Sequence, residues 1–168
     1  MTTEAKRVIL ASRPVGLPTL DNFSLESFSV PVLTTGQVLV KVAHFSLDPY
    51  MRGRMDDARS YAPPIQIGNV MEAGAVGCVQ ASACEGINPG DWVYGRMGWA
   101  EFVVTEGALV QKVPISIEPK SLALGVLGMP GFTGWWGLME HGRQKVGDVQ
   151  LEVFPRHAIR RRVRRHLR

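Results

Sequence analysis

At 168 residues, 45% of them hydrophobic and 20% charged, the chain suffices for one ordinary domain with a proper core and is too short for two. Its net charge of +4 is unevenly held: from Leu151 to Arg168 seven arginines face one acid, Glu152, which makes that stretch +6 and leaves −2 for residues 1–150. The charge balance therefore gives no ground for nucleic-acid binding by the folded body. The N-terminus has no apolar leader and no apolar run long enough to span a bilayer, so a cytoplasmic protein with Cys78 and Cys84 reduced is expected.

Eighteen glycines and eleven prolines fall between short apolar runs, which favours a strand-and-turn body over a helical bundle. Arg7 to Leu10 forms a first short strand, and Phe23, Leu25, Phe28 and Val30 suggest a second after a Pro-punctuated stretch. Val38, Val40 and Val42 alternate with Leu39 and Lys41, the clearest strand signal in the chain. Asp48-Pro49 breaks that strand, because proline lacks a ladder donor and restricts the residue before it. From Met51 to Pro64 no period is visible, and a long irregular loop is expected, of the kind that often carries function.

Three further short strands are expected in VMEAGAVGCVQA, DWVYGR and AEFVVTE, with Gln111 to Pro114 closing the set. The glycines of Gly74-Ala75-Val76-Gly77 suggest a turn between barrel strands rather than a nucleotide loop, because no helix with a ribose-binding acid follows. From Ser116 the sequence predicts a short capped helix and then a turn through Gly128, Pro130 and Gly131. A second helix follows over about Phe132 to His141, capped by Gly142.

Four ordered motifs, DPYMRGRM from Asp48, VMEAGAVGCV from Val70, GDWVYGRMGWAEFVV from Gly90 and LGMPGFTGWWGLMEHGRQKVGD from Leu127, resemble the medium-chain dehydrogenase/reductase superfamily. Within it they resemble the zinc-independent group of leukotriene B4 12-hydroxydehydrogenase (a prostaglandin reductase), plant double-bond reductases and bacterial curcumin reductase. The resemblance spans about residues 6 to 148. It implies a mainly β fold, a GroES-like barrel with a few short helices over residues 1–125. Residues 126–148 would be a helical lead-in to a Rossmann domain, which is missing or truncated. It also implies NADP(H) as cofactor, an α,β-unsaturated aldehyde or ketone as the small-molecule substrate, and no metal.

Enone reduction needs hydride delivery to the β-carbon and stabilisation of negative charge on the carbonyl oxygen. A tyrosine hydroxyl over the cleft can donate that hydrogen bond, and Tyr50 follows a proline that fixes the local backbone. The resemblance makes Tyr50 the catalytic candidate, Met51 and Arg52 substrate-binding, and Pro49 and Tyr50 neighbours of the cofactor. On residue chemistry alone, Tyr50 could plug the barrel and Arg52 could be a solvated charge. Tyr61, in the long loop, is a further substrate-side candidate or a surface aromatic. Met129, Gly131 and Thr133 form a second cofactor cluster: a glycine beside a helix start allows close approach, and the threonine hydroxyl can reach the nicotinamide amide. After that threonine this chain has Gly134 and Trp135, where the family usually places Ala and Tyr.

Zinc-dependent relatives need Cys and His ligands where this chain reads Leu47-Asp48-Pro49-Tyr50 and Gly68-Asn69-Val70-Met71-Glu72. His44, beside Phe45, is read as a packed histidine rather than a ligand. After Gly147-Asp148 the family continues with an apolar strand and a phosphate loop, whereas here VQLEVFPRHAIRRRVRRHLR follows. A shifted reading frame near Val149 is the favoured explanation of this aberrant basic segment, 149–168, and no cofactor binding or turnover by the chain alone is expected. The alternative is a non-catalytic barrel module whose basic tail binds nucleic acid or anionic surfaces in a salt-sensitive way.

Overall fold

The computed structural model describes residues 4–58 and 62–143. Strand β1 (Glu4–Leu10) pairs antiparallel with β2 (Phe23–Ser29), from Glu4 opposite Ser29 to Leu10 opposite Phe23. Five more strands form a second antiparallel sheet: β3 (Gln37–Phe45), β4 (Gly74–Ser82), β5 (Trp92–Arg96), β6 (Phe102–Glu106) and β7 (Val110–Lys112), in the order β6-β3-β4-β5-β7. The free edge of β1 is stitched to the segments flanking that sheet. Val8 N–H donates to Trp99 O (2.8 Å), Met71 N–H to Val8 O (3.0 Å) and Leu10 N–H to Asn69 O (3.0 Å). The two sheets thereby curl into a half-barrel, the mainly β, GroES-like architecture that the resemblance implies.

The alternation of β3 is what builds the core. Val38 and Val40 point inward and are wholly buried with Ala75, Val79 and Val93 from the neighbouring strands. A second apolar cluster joins Leu10, Met55, Ile65 and Met71, with Phe23 and Trp99 against it. Trp99 stacks between Phe23 (5.5 Å between centroids) and Phe45 (5.6 Å).

Several sequence expectations need correction. The stretch after Met51 is not wholly irregular, because a five-residue helix α1 (Tyr50–Arg54) opens it. Pro49, at φ −55°, sets its first turn, and Met51 N–H donates to Asp48 O (3.0 Å). α1 buries only Met51 and Arg54, too few residues to leave an apolar period. Gly74 to Gly77 is not a turn but the first half of β4. A Cβ on Gly77 would collide with the Lys41 carbonyl and lie 2.7 Å from Val40 Cγ1. The glycine is needed for close strand approach beside a bulge between Val42 and His44. That bulge also resets the alternation of β3, so His44 is exposed rather than packed.

Further along, the expected first helix is a 3-10 turn over Lys120–Leu124, anchored by the buried Lys120. Its ammonium donates to the carbonyls of Ile115 (3.0 Å) and Ile117 (2.7 Å) and to Glu118 Oε1 (2.6 Å). The second helix, α2 (Met129–Trp136), starts three residues before the expected Phe132, with Pro130 in its first turn. It continues as a π-type turn over Gly137–Gly142, and the capping residue is Arg143 at φ 45°, not Gly142. Cys78 and Cys84 are free thiols.

One surface carboxylate links the sheet to pH. Asp91, before β5, accepts the Asn88 amide (2.8 Å) and pairs with Lys112 Nζ (2.6 Å). These partners, the backbone amide foremost, hold its pKa below the usual carboxylate value of 3.8. A carboxylate depressed in the folded state contributes stability above its unfolded pKa and loses it as pH falls through the folded one. The stability gap between wild type and Asp91→Asn should therefore shrink on acidification below about pH 4. Urea melts of both proteins across that range check it, and a constant gap would refute the linkage.

Candidate functional site

The turn from β3 into α1 is pinned to the start of β4. Ser46 N–H donates to Gly74 O (2.9 Å), and Ser46 Oγ donates to Asp48 Oδ2 (2.7 Å). Pro49 is exposed and Tyr50 half-buried at the head of α1. Met51, 4% exposed, is an anchor beneath the helix, with its sulfur 3.5 Å from the Asp48 amide. Arg52 braces the 14–16 loop: Nε donates to Gly16 O (2.9 Å), Nη2 to Pro14 O (3.3 Å) and Nη1 to Asp56 (2.7 Å). Of these four residues, Pro49 is the exposed one and Tyr50 is half-buried, while Met51 and Arg52 make contacts that hold the loop itself. Tyr61 lies outside the described residues.

The pose of α1 is set by a second arginine that the sequence reading passed over. Arg54, 5% exposed, directs Nη1 and Nη2 onto the two carboxylate oxygens of Glu72, the second contact at 3.0 Å, and Nε onto Pro63 O (2.9 Å). Arg96 Nη2 donates to the same Glu72 (3.0 Å). One carboxylate thus ties α1, the lead into β4 and the end of β5 together. Glu72 and Arg96 also line a cavity of about 300 Å³ with Val70, Met71, Met97 and Gly98. The DPYMRGRM motif contained Arg54, but its partner is eighteen residues away and nothing local announces it.

Met129, Gly131 and Thr133 all lie on α2. Met129 lines a groove of about 590 Å³ with Tyr94, Val113, Pro114, Leu127 and Phe132. Thr133 is exposed. Gly131 is closely approached, but by its own chain: a Cβ there would collide with the Val126 carbonyl. Its N–H donates to Gly125 O (3.1 Å) and the Phe132 N–H to Gly128 O (3.0 Å). Those amides are committed to the preceding turn, so the start of α2 is not an open anion cradle. Tyr50 and Thr133, the two residues expected on the nicotinamide side of NADP(H), both lie among the described residues. Among the described residues every strand pair is antiparallel, so the parallel βαβ unit that holds a pyrophosphate is not among them. No group of three or more His, Cys, Asp or Glu able to hold a metal occurs among them. Nor is any of their helices long and apolar enough to cross a membrane.

Residues 6–113 match the family profile described as the N-terminal domain of oxidoreductase. The chain is 46% identical over 144 residues to the NADPH-dependent curcumin reductase of Escherichia coli, covering 86% of this chain and 42% of that protein. It is 32% identical over 151 residues to rat prostaglandin reductase 1, covering 88% and 44%. Among solved structures, CurA from Vibrio vulnificus in complex with NADPH superposes with a TM-score of 0.78 at 43% identity, over 85% of this chain and 42% of that one. The chain thus spans well under half the length of these relatives. With a half-barrel of this topology, the motif-bearing α1 and a profile match across nearly all of the sheet, the chain belongs to the NADPH-dependent reductase family of medium-chain oxidoreductases, matching its N-terminal domain.

Proposed function

We propose that these residues form the substrate side of an NADPH-dependent reductase acting on the carbon–carbon double bond of α,β-unsaturated aldehydes and ketones. Residues 1–125 would form the substrate-side domain and 126–148 the lead-in to the nucleotide-binding half. The observation that carries this reading is the 46% identity to a curcumin reductase, whose named substrate is a conjugated enone. NADPH, when bound, supplies the hydride that the β-carbon accepts. The Tyr50 hydroxyl, at the head of a helix pinned by Ser46 and Arg54, donates a hydrogen bond to the carbonyl oxygen as it gains negative charge. A proton from solvent then completes the α-carbon. Pro49, Met51 and Arg52 hold that tyrosine in place, Tyr61 is a candidate substrate contact, and Met129, Gly131 and Thr133 border the nicotinamide.

The 168 residues taken alone do not turn over, because the antiparallel described sheet offers no seat for the pyrophosphate. Two measurements test this. The purified chain should consume no NADPH with a simple 2-alkenal. A chimera joining residues 1–148 to the remaining C-terminal part of the E. coli curcumin reductase should consume it, with Tyr50→Phe lowering kcat about 100-fold at similar KM. Turnover by the chain alone would overturn the inactivity, a folded but inert chimera would overturn the reductase reading, and an unaffected Tyr50→Phe would remove the tyrosine from the chemistry.

A further inference from the structure

Among the described residues, the cavity beside Glu72 is walled by two short segments, Val70 to Glu72 and Arg96 to Gly98. Backbone bonds fix these segments against each other. Trp99 N–H donates to Met71 O (2.8 Å), and Met97 N–H donates to Ala73 O (3.0 Å). Gly98, at φ +82°, completes the join, because a Cβ there would lie 2.8 Å from the Met71 carbonyl. The cavity is therefore preformed by the sheet and its flanks, and none of these walls comes from the stretch after β7. At about 300 Å³ it lies at the small end of ligand pockets.

Its charges do not cancel. Arg54 and Arg96 both donate to Glu72, so two guanidinium groups share one carboxylate and one positive charge is left over. The two arginines are engaged unequally. Arg54 is buried and directs all three of its nitrogens onto Glu72 and Pro63 O. Arg96 lines the cavity with its side chain 69% exposed, and it is held by one bond, Nη2 to Glu72 Oε2 (3.0 Å). Its Nε and Nη1 meet no acceptor among the described residues. Glu72 has little left to offer a ligand, since its oxygens already accept three N–H groups, most of a carboxylate's capacity.

The surplus charge thus stands on Arg96, whose planar fork matches a carboxylate. Glu72 also tethers that fork, which lowers the cost of ordering it around a ligand. The remaining walls, Val70, Met71, Met97 and Gly98, are apolar and suit a hydrocarbon body. A small cavity with a single open arginine does not fit a nucleic acid, whose backbone is held by several cations at once.

We propose that this cavity binds a small molecule that joins an apolar body to a carboxylate, with Arg96 holding the carboxylate. The inference does not depend on the reductase reading. It is tested on the full 168-residue chain by heteronuclear NMR titration with phenylacetate and with its uncharged analogue phenylacetamide. Neither probe has a reducible double bond, so binding is read without turnover. Arg96→Gln is the variant. It keeps the buried Arg54–Glu72 pair, so its spectrum away from the cavity should remain that of wild type.

Phenylacetate is expected to shift the amides of residues 70–72 and 96–98, with a Kd on the order of millimolar. Phenylacetamide should bind at least about tenfold more weakly, the worth of a charge-assisted hydrogen bond. In Arg96→Gln the two probes should bind equally weakly, and in wild type added salt should weaken only the carboxylate. Equal binding of both probes to the wild-type chain would overturn the proposal, whatever the variant does. So would shifts confined to other parts of the chain, no shift up to about 20 mM probe, or a carboxylate preference that survives Arg96→Gln.

Discussion

Replacing Glu72 with alanine is expected to destabilise the fold by about 3–5 kcal/mol, toward the lower figure because Glu72 itself is partly exposed. The substitution removes the one carboxylate that Arg54 touches among the described residues and leaves a guanidinium that is 5% exposed with, among them, a single carbonyl acceptor, Pro63 O. Replacing the arginine is the gentler change. In Arg54→Met the hydrogen bonds to Glu72 and Pro63 are lost, but Glu72 keeps Arg96 and water, and the loss should be about 1–2 kcal/mol. The asymmetry is the informative part, since an exposed ion pair would give small and similar losses from either side. Urea denaturation of both variants measures it. Equal midpoints would mean that water reaches Arg54 once Glu72 is gone. The local consequence is that α1 and Tyr50 should loosen in Glu72→Ala before the sheet does, because Arg54 is the buried polar tie between them.

A second large effect is expected at Gly77. Alanine there would drive its Cβ into the Lys41 carbonyl and to within 2.7 Å of Val40 Cγ1, between the two paired interior strands β3 and β4. Neither neighbour can yield easily. The carbonyl belongs to the backbone of β3, and Val40 is fully buried and restricted in its rotamers. Overpacking of a core usually costs about 1–3 kcal/mol, and a clash with backbone in a central strand belongs at the top of that range or above it. Gly77→Ala is therefore expected to lose about 3 kcal/mol or more and to accumulate as unfolded protein. Gly53→Ala, in α1, is the control: a Cβ there meets nothing within 4 Å, so its stability should be nearly unchanged. If Gly77→Ala melts like the control, β3 and β4 are further apart than this register requires.

Residue patterns in the sequence located much of this fold. Val38, Val40 and Val42 alternate because one face of β3 meets the core, and the positions of Pro49 and of the Asn88-Pro89-Gly90 turn mark where strands stop. The motif around Asp48 to Met55 singled out the segment whose helix carries Tyr50. The failures share a cause. α1 escaped notice because five residues held by a buried arginine and one methionine leave no period. Gly74 to Gly77 suggested a turn because glycine permits turns and close strand contacts alike, and only the neighbouring strand distinguishes them. The Arg54–Glu72–Arg96 cluster drew no attention, because arginines two residues apart look alike until their distant partners are known.

What the sequence by itself determined is therefore local or carried by motif: the strand order along the chain, the loop that holds the candidate tyrosine, and the family. What only the tertiary structure decided is pairing across distance. It showed which arginine is buried and on which carboxylate, which glycine is a contact rather than a hinge, and which apolar residues after Leu124 stay uncovered. The physical reason is that backbone preference and periodicity act over a few residues. Burial, charge pairing and steric fit, in contrast, depend on what the rest of the chain brings to the same place.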